Sequence, residues 1–378
     1  MNEFSLFDFL DDEEAKKYKP QKSTDWKWTM ANAYPKEKNG LKVFSCFACG
    51  GGSTMGYKLA GCEVLGCCEI DPKMNEVYVK NHNPKHNFLM DIREFNALPN
   101  EEIPPELFDL DILDGSPPCT TFSMAGEREE GWGKKKKFRE GQQEQTLDDL
   151  SFAFIDTVRK LKPKVVIMEN VEGLLLGEAW AYVQRIYKEL NEAGYAVHHW
   201  LLKGENMGVP QTRHRVFFVA VQARLDIDPQ MLDMSFNYEP VTYRQIQAPG
   251  ERGRIKPCLA ELVPLVKCGD RTFSNACERK KGKAGFFNEM ICYPDKIMPT
   301  IRTYPTYYRY GTWDRVNAAE YVACSTFPTD YDFINNGETN VCYMCGMSVP
   351  PIMIKRIVTR LIEQGVFDYK NKEETNDA

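Results

Sequence analysis

The sequence predicts an α/β fold: a mostly parallel sheet covered by helices on both faces, with a smaller irregular domain set into the chain behind it. Three features of the 378 residues predict it. Short apolar runs alternate with helix-period stretches as far as about Ala223, the alternation then stops, and a helical period returns near the C-terminus.

Taken in order, strands are expected at 42–47, 63–69, 109–113, 165–168 and 216–220. Each is short and apolar and is followed by a turn residue or an acid. Between them, Phe152, Ile155, Val158 and Leu161 recur every three residues and give 151–161 one apolar face. Val183, Ile186, Tyr187 and Leu190 do the same for 181–193. Residues 224–298 are richer in Pro, Gly, Arg, Lys and single aromatics, with little periodicity, as a separate small domain or large insertion would be. Near the end, Pro350 and Pro351 stand where a helix start tolerates proline, ahead of Ile352, Ile354, Ile357, Val358, Leu361 and Ile362.

Composition bounds the function. Hydrophobic residues are 43% and charged residues 27%, ordinary for a soluble globular chain. The formal net charge of −6 excludes a globally basic nucleic-acid coat. That charge sits in one place. Glu3, Asp8, Asp11, Asp12, Glu13 and Glu14 stand in the first 14 residues with no base among them, so the remainder is neutral. Two basic clusters, the lysines at 134–137 with Arg139, and Arg279, Lys280, Lys281 and Lys283, are expected to line one cleft and leave an acidic back. The 13 cysteines follow no basic-then-apolar leader, and the sequence reads without an apolar run of bilayer length. This points to a reducing cytoplasm with free, buried thiols and no membrane. Two CxxC pairs, Cys46 with Cys49 and Cys342 with Cys345, would supply a four-thiolate zinc site. Each pair sits inside a stretch with another reading, and no metal is expected.

Chemistry concentrates at strand ends, where open α/β sheets bind ligands. Phe47-Ala48-Cys49-Gly50-Gly51-Gly52-Ser53 follows the first strand, and glycines there let the backbone approach a ligand closely. Glu69-Ile70 closes the second strand, about 20 residues on, a place that suits ribose hydroxyls. Asp91-Ile92 follows another short apolar segment. Together these describe a nucleoside pocket. After the third strand comes Gly115-Ser116-Pro117-Pro118-Cys119, a cysteine on a rigid loop and a strong nucleophile once deprotonated. Glu169-Asn170-Val171 brings a carboxyl to the same sheet edge. Gln211, Arg213 and Arg215 precede the fifth strand, and the two arginines share a face if the strand begins there.

In this order the residues resemble the cytosine-C5 DNA methyltransferases. The resemblance runs along the chain outside its variable middle. Its most specific part is Pro118-Cys119 followed at the family's distance by Glu169-Asn170-Val171. It implies a Rossmann-like, S-adenosylmethionine-dependent methyltransferase domain joined to a target-recognition domain. It implies that S-adenosyl-L-methionine is bound by Phe47, Ala48, Gly50, Gly51, Gly52, Glu69, Ile70, Asp91, Ile92, Pro118, Leu150, Ser348 and Val349. Cys119 would add to carbon 6 of a flipped cytosine. Glu169, held protonated by burial, would hydrogen-bond N3 and the amino group, and Arg215 with Arg213 would hold O2. Substrate contacts are expected from Ser123, Ala125, Gly126, Lys134 and Lys135 on a glycine-containing lid at 120–145, whose basic charges suit phosphates. Asn170, Gln211, Arg279, Lys280 and Lys281 complete that set.

The implied organisation is an extension with an acidic tail at 1–40, a catalytic and cofactor-binding domain at 41–223, and a target-recognition domain with hinge at 224–335. A segment returning to the catalytic domain at 336–365 and a polar tail at 366–378 follow. Departures from the family's usual residues are Ser45 for an acid, Cys49 for glycine, Thr120 for glutamine, Ala319 for arginine and Met347 for asparagine; none removes a reacting group. The implied partner is double-stranded DNA, read at a short site by a monomer in the cytoplasm, nucleoid-associated, of a bacterium or phage, with or without a restriction-modification system. Residues 3–10 also loosely resemble peptides that dock on the bacterial replication clamp. Two further readings stay open: a tRNA cytosine-C5 methyltransferase of the same fold, and a catalytically impaired DNA-binding relative.

Overall fold

The structure, a computed structural model, describes residues 20–118 and 150–369, with the backbone of a two-strand pairing at 135–136 and 145–146. Seven strands make the central sheet: β1 (Lys42–Cys46), β2 (Glu63–Glu69), β3 (His86–Leu89), β4 (Ile112–Gly115), β5 (Val165–Val171), β6 (Tyr195–Lys203) and β7 (His214–Gln222). They lie in the order β3-β2-β1-β4-β5-β7-β6. The first five of that order pair in parallel, and β7 is antiparallel to both its neighbours. The main helices are α1 (Gly52–Leu59), α2 (Pro72–His82), α3 (Ile92–Ala97), α4 (Leu150–Leu161), α5 (Trp180–Glu192), α6 (Ser274–Lys281), α7 (Ala318–Cys324), α8 (Glu338–Met347) and α9 (Pro351–Glu363).

Successive strand residues point to opposite faces, and both faces are covered, so the central strands carry apolar residues on both sides. Val43, Ile112, Ile167, Phe217 and Val219 pack with residues of α1, α2 and α9. Phe44, Leu113, Val166, Met168 and Phe218 pack with α3, α4 and α5 on the other side. The three-residue apolar periods of α4 and α5 are the faces buried there. Local chemistry sets the helix starts. Asp71 caps α2, accepting from the Lys73 and Met74 amides, with Pro72 in the first turn. Pro350 and Pro351 open α9 as expected. Asn317 and Glu320 form a capping box on α7.

The strand expected at 109–113 starts later. Asp111 accepts the Lys42 amide at 2.8 Å and Asp109 pairs with the Lys42 ammonium at 2.8 Å, so the aspartates clamp the strand's entry rather than extend it. Strands β3 and β6 at the two sheet edges carry mixed burial, which weakened their apolar pattern. Residues 224–335 hold short elements around a small core of Leu259, Leu262, Phe273, Ala276, Ile291 and Tyr308. The segment from residue 20 straps across the molecule: the Trp28 indole donates to the Thr326 carbonyl at 2.9 Å, and Asp25 pairs with Arg356.

One expectation is corrected. Residues Glu338–Glu363 form a stretch long and apolar enough to cross a membrane by length and composition, with 78% of its most apolar part buried inside the protein. The two prolines divide it into α8 and α9, and the core against α1 accounts for its apolar character.

Candidate active site

The cofactor-type cradle forms where β1 gives way to α1. Phe47, Cys49 and Gly51 all adopt positive φ there, at 56°, 48° and 81°. A Cβ on Gly51 would fall 2.1 Å from Nε2 of His82, and one on Gly52 would fall 2.2 Å from the Val349 carbonyl oxygen. The glycines are therefore required by close approach of α2 and of the returning C-terminal segment. Tyr331 donates its hydroxyl to the Gly50 carbonyl, and Ser348 Oγ lies 3.7 Å from Cys49 Sγ. His82 is buried under the loop, and burial pushes its imidazole down to about 3, so it stands neutral. Burial likewise pushes the Cys49 thiol up to about 12.

Glu69 ends β2 facing this loop. One carboxyl oxygen accepts the Cys49 amide at 2.7 Å and the other accepts the Asp71 amide at 2.8 Å. Burial raises its pKa against these hydrogen bonds. The Ile70 amide also reaches this carboxyl, and a carboxylate with about four acceptor sites still has room for a further donor. Beside it, Phe47, Ile70, Met90, Asp91, Ile92 and Leu150 line a slot with apolar walls and one carboxyl at its edge. The lining chemistry suits an adenosine group, with apolar walls for a base, an acid for ribose hydroxyls and a glycine cradle behind; in the free protein the slot itself is narrow, about 10 Å³, so a base entering it has to part the walls. Ala48 is buried against Cys67 and Tyr78 and supports the loop from beneath.

The second half of the site lies along the same edge. Glu169 and Arg215 sit on antiparallel strands, with Phe217 opposite Glu169 and Arg215 opposite Val171. This diagonal brings Arg215 Nε to 2.8 Å from Glu169 Oε1 as an ion pair. Asn170 donates to the Pro117 carbonyl at 3.4 Å, tying β5 to the proline loop that leads to Pro118. Cys119, Ser123, Ala125, Gly126 and Lys134 lie outside the described residues, and Lys135 is described only in its two-residue strand. Arg215 also lines a cleft of about 980 Å³. Val171, Glu172, Glu205 and His214 form one wall; Arg271, Asn288, Met290, Arg302 and Tyr304 form the other.

Several expected contacts are engaged elsewhere. Arg213 is 2% exposed and donates to the Gly346 carbonyl at 3.1 and 3.2 Å and to the Ile301 carbonyl at 3.3 Å. Burial, then the neighbouring Arg215 charge, lowers its pKa. It braces the sheet edge against the C-terminal return, while Arg215 holds the carboxyl. Gln211 is fully enclosed, donating to the Cys324 carbonyl at 3.0 Å and accepting the Ile301 amide at 3.0 Å. Arg279 makes a two-pronged pair with Asp270, Lys280 pairs with Glu261 at 2.7 Å, and Lys281 lies over the Phe286 ring. None of these three lines the cleft, so the expected union of both basic clusters is not formed by this one. The reason is local: all three stand in the last turn of α6, where cations offset the helix dipole and meet nearby acids. Among the described residues the guanidinium groups that line the cleft are instead those of Arg215, Arg271 and Arg302. Of these, Arg302 alone lies beyond both the paired arginines and the irregular 224–298 stretch, where nothing in the sequence singled it out. Among the described residues, no group of three or more His, Cys, Asp or Glu is arranged to hold a metal ion.

A doubly covered sheet with a nucleoside-type cradle and a polar cleft at one strand edge defines an α/β cofactor-binding class. The chain matches the C-5 cytosine-specific DNA methylase family over residues 41–284 and belongs to it. It is 34% identical over 187 residues to the type II methyltransferase M.FnuDI of Fusobacterium nucleatum, covering 50% of this chain and 48% of that one. It is 26% identical over 346 residues to M.NgoFVII of Neisseria gonorrhoeae, covering 83% and 84%. The chain spans about half the length of the first curated relatives it matches. The fold is shared with a solved structure of a DNMT2 variant from Spodoptera frugiperda, at a TM-score of 0.62 and 16% identity over 85% of this chain and 100% of that one.

Proposed function

We propose that the protein transfers a methyl group from S-adenosylmethionine to carbon 5 of cytosine in duplex DNA. The observation that carries this reading is the Glu169–Arg215 pair, standing between the glycine cradle and the cleft and tied through Asn170 to the Pro117-Pro118 loop. When bound, the cofactor supplies an electrophilic methyl group. The chain's own residues do the rest. Glu69, Asp91 and the Phe47–Leu150 slot orient the adenosyl group, and Ser348 and Val349 close over the cradle.

Carbon 5 of cytosine is a weak nucleophile. Addition of the Cys119 thiolate at carbon 6 makes carbon 5 enamine-like. A proton taken up from solvent as the base displaces Arg215 lets Glu169 donate to N3 while its other oxygen accepts from the amino group, and Arg215 donates to O2, where negative charge builds. In the free protein these two meet each other, so an entering base replaces their mutual contact. After methyl transfer, carbon 5 loses its proton to water and the Cys119 thiolate leaves carbon 6, restoring the ring. The base must leave the helical stack to reach them, at a cost of about a few kcal/mol. Arg271, Arg302 and Tyr304 on the cleft's far wall would meet the duplex. The test is nucleoside mass spectrometry of mixed-sequence duplex DNA after incubation with the protein and cofactor. 5-Methylcytosine is expected with the wild type and absent with Cys119→Ser. Methylation of tRNA but not duplex DNA would overturn the substrate assignment.

A further inference from the structure

Asp114 is a buried carboxyl that the chemistry above does not use. It lies near the end of β4, 2% exposed. Its register partners are Ser45 on β1 and Ile167 on β5, so it shares the α1-covered face with Ser45 and, two residues past Ile167, with Glu169. Ser45 Oγ donates to one oxygen at 2.6 Å and Tyr57 Oη, from α1, to the other at 3.0 Å. Ser53, in the first turn of α1, also hydrogen-bonds to it. These residues are where the glycine cradle leaves β1 and enters α1.

All three donors are neutral hydroxyls. The titratable groups that face the carboxyl are Cys46 on β1, Tyr57 on α1, Tyr78 on α2 and Glu169 on β5, each of which ionises to an anion. Among the described residues no cation pairs with it. Burial therefore raises the carboxyl to about 7 in spite of its hydroxyl donors. Among the described residues no positive charge meets this carboxyl, and the ligand assigned to the adjacent cradle carries two, on sulfonium and ammonium.

We propose that Asp114 is a positioning residue for the cofactor cradle, and that a cationic ligand arriving there draws the proton from Asp114 to solvent. The ionised carboxylate then holds the Ser45, Ser53 and Tyr57 hydroxyls more firmly under the loop. This rests on the cofactor assigned above. The sign follows from linkage: a ligand that favours the ionised form binds more tightly as pH rises through the free-state pKa.

The test is calorimetric titration of the full chain with S-adenosylmethionine between pH 6 and 8, in pairs of buffers with different ionisation enthalpies. The wild type should release a fraction of a proton per cofactor near pH 7. Its affinity should tighten by up to about tenfold across that range, the change that a one-unit pKa shift produces. Asp114→Asn should bind with neither release nor pH dependence. If that variant does not fold, Ser45→Ala, which removes one donor to the carboxylate, should move the release to higher pH. Binding without proton release, or release unchanged in both variants, overturns the proposal. Failure of the wild type to bind the cofactor at any pH would instead sink the cofactor assignment beneath it.

Discussion

Glu69→Gln separates what the cradle needs for folding from what it needs for binding. In the wild type each carboxyl oxygen accepts one main-chain amide, from Cys49 at 2.7 Å and from Asp71 at 2.8 Å. Glutamine keeps one oxygen and turns an NH₂ toward the other amide, so one charge-assisted hydrogen bond is lost, worth about 1.5–3 kcal/mol. Against that, burial raises the Glu69 pKa, so the free protein holds an uncomfortable charge that glutamine removes. The two effects offset, and stability at pH 7 should fall by no more than about 1 kcal/mol in urea unfolding. Cofactor binding has no such compensation, because the amide cannot accept from two ribose hydroxyls. A loss of about 1.5–3 kcal/mol there is about 10- to 150-fold in Kd, read by calorimetry. A Kd within threefold of wild type would refute the assignment of Glu69 to the cofactor. So would a large stability loss accompanied by unchanged binding.

Arg213→Met removes the donors to two main-chain carbonyls, and should destabilise the fold by about 2–4 kcal/mol in urea unfolding; a loss below about 0.5 kcal/mol would show that the brace is not there. Arg271→Ala and Arg302→Ala should weaken duplex binding with little regard to sequence. Each should reduce the salt dependence of log K by about 0.9 if its side chain meets a phosphate, and an unchanged slope for both would remove that wall from the DNA interface. Because burial raises Asp114 to about 7 from 3.8, its stabilising protonation is lost as pH climbs between those values. Wild-type unfolding free energy should therefore fall across that window by as much as about 4 kcal/mol, and Asp114→Asn should flatten the fall. An identical pH profile in the two proteins would contradict the buried-acid reading.

Strands and helices that bury one clean face were legible in the sequence. The α4 period of Phe152, Ile155, Val158 and Leu161 is the buried face, and the proline pair does open α9. Edge strands were not legible, since β6 carries His198, His199 and Trp200 half-buried on both sides and so lacks either period. The cradle residues were legible because glycines and acids at strand ends have few other reasons to be there. Residues whose role depends on a distant partner were not. Arg213 reads like Arg215 in sequence, yet one step of two along the edge takes it to the Gly346 carbonyl instead of to Glu169. Arg279 and Lys280 read as a basic patch because their acids, Asp270 and Glu261, stand apart in the chain. Asp114 was hidden for the opposite reason. Its partner Ser45 looked like a missing acid, and only the strand register puts the two side by side.

The central claim is that Cys119 attacks carbon 6 of a cytosine in duplex DNA while the methyl group goes to carbon 5. Fluorine at carbon 5 blocks the final proton loss, so the adduct should persist on DNA in which 5-fluorocytosine replaces cytosine. The decisive measurement is peptide mass spectrometry of the denaturant-resistant species formed by the full chain, cofactor and such a duplex. The account predicts a nucleotide carrying the transferred methyl group, attached through the Cys119 sulfur. No covalent species, or attachment at any other residue, would contradict it.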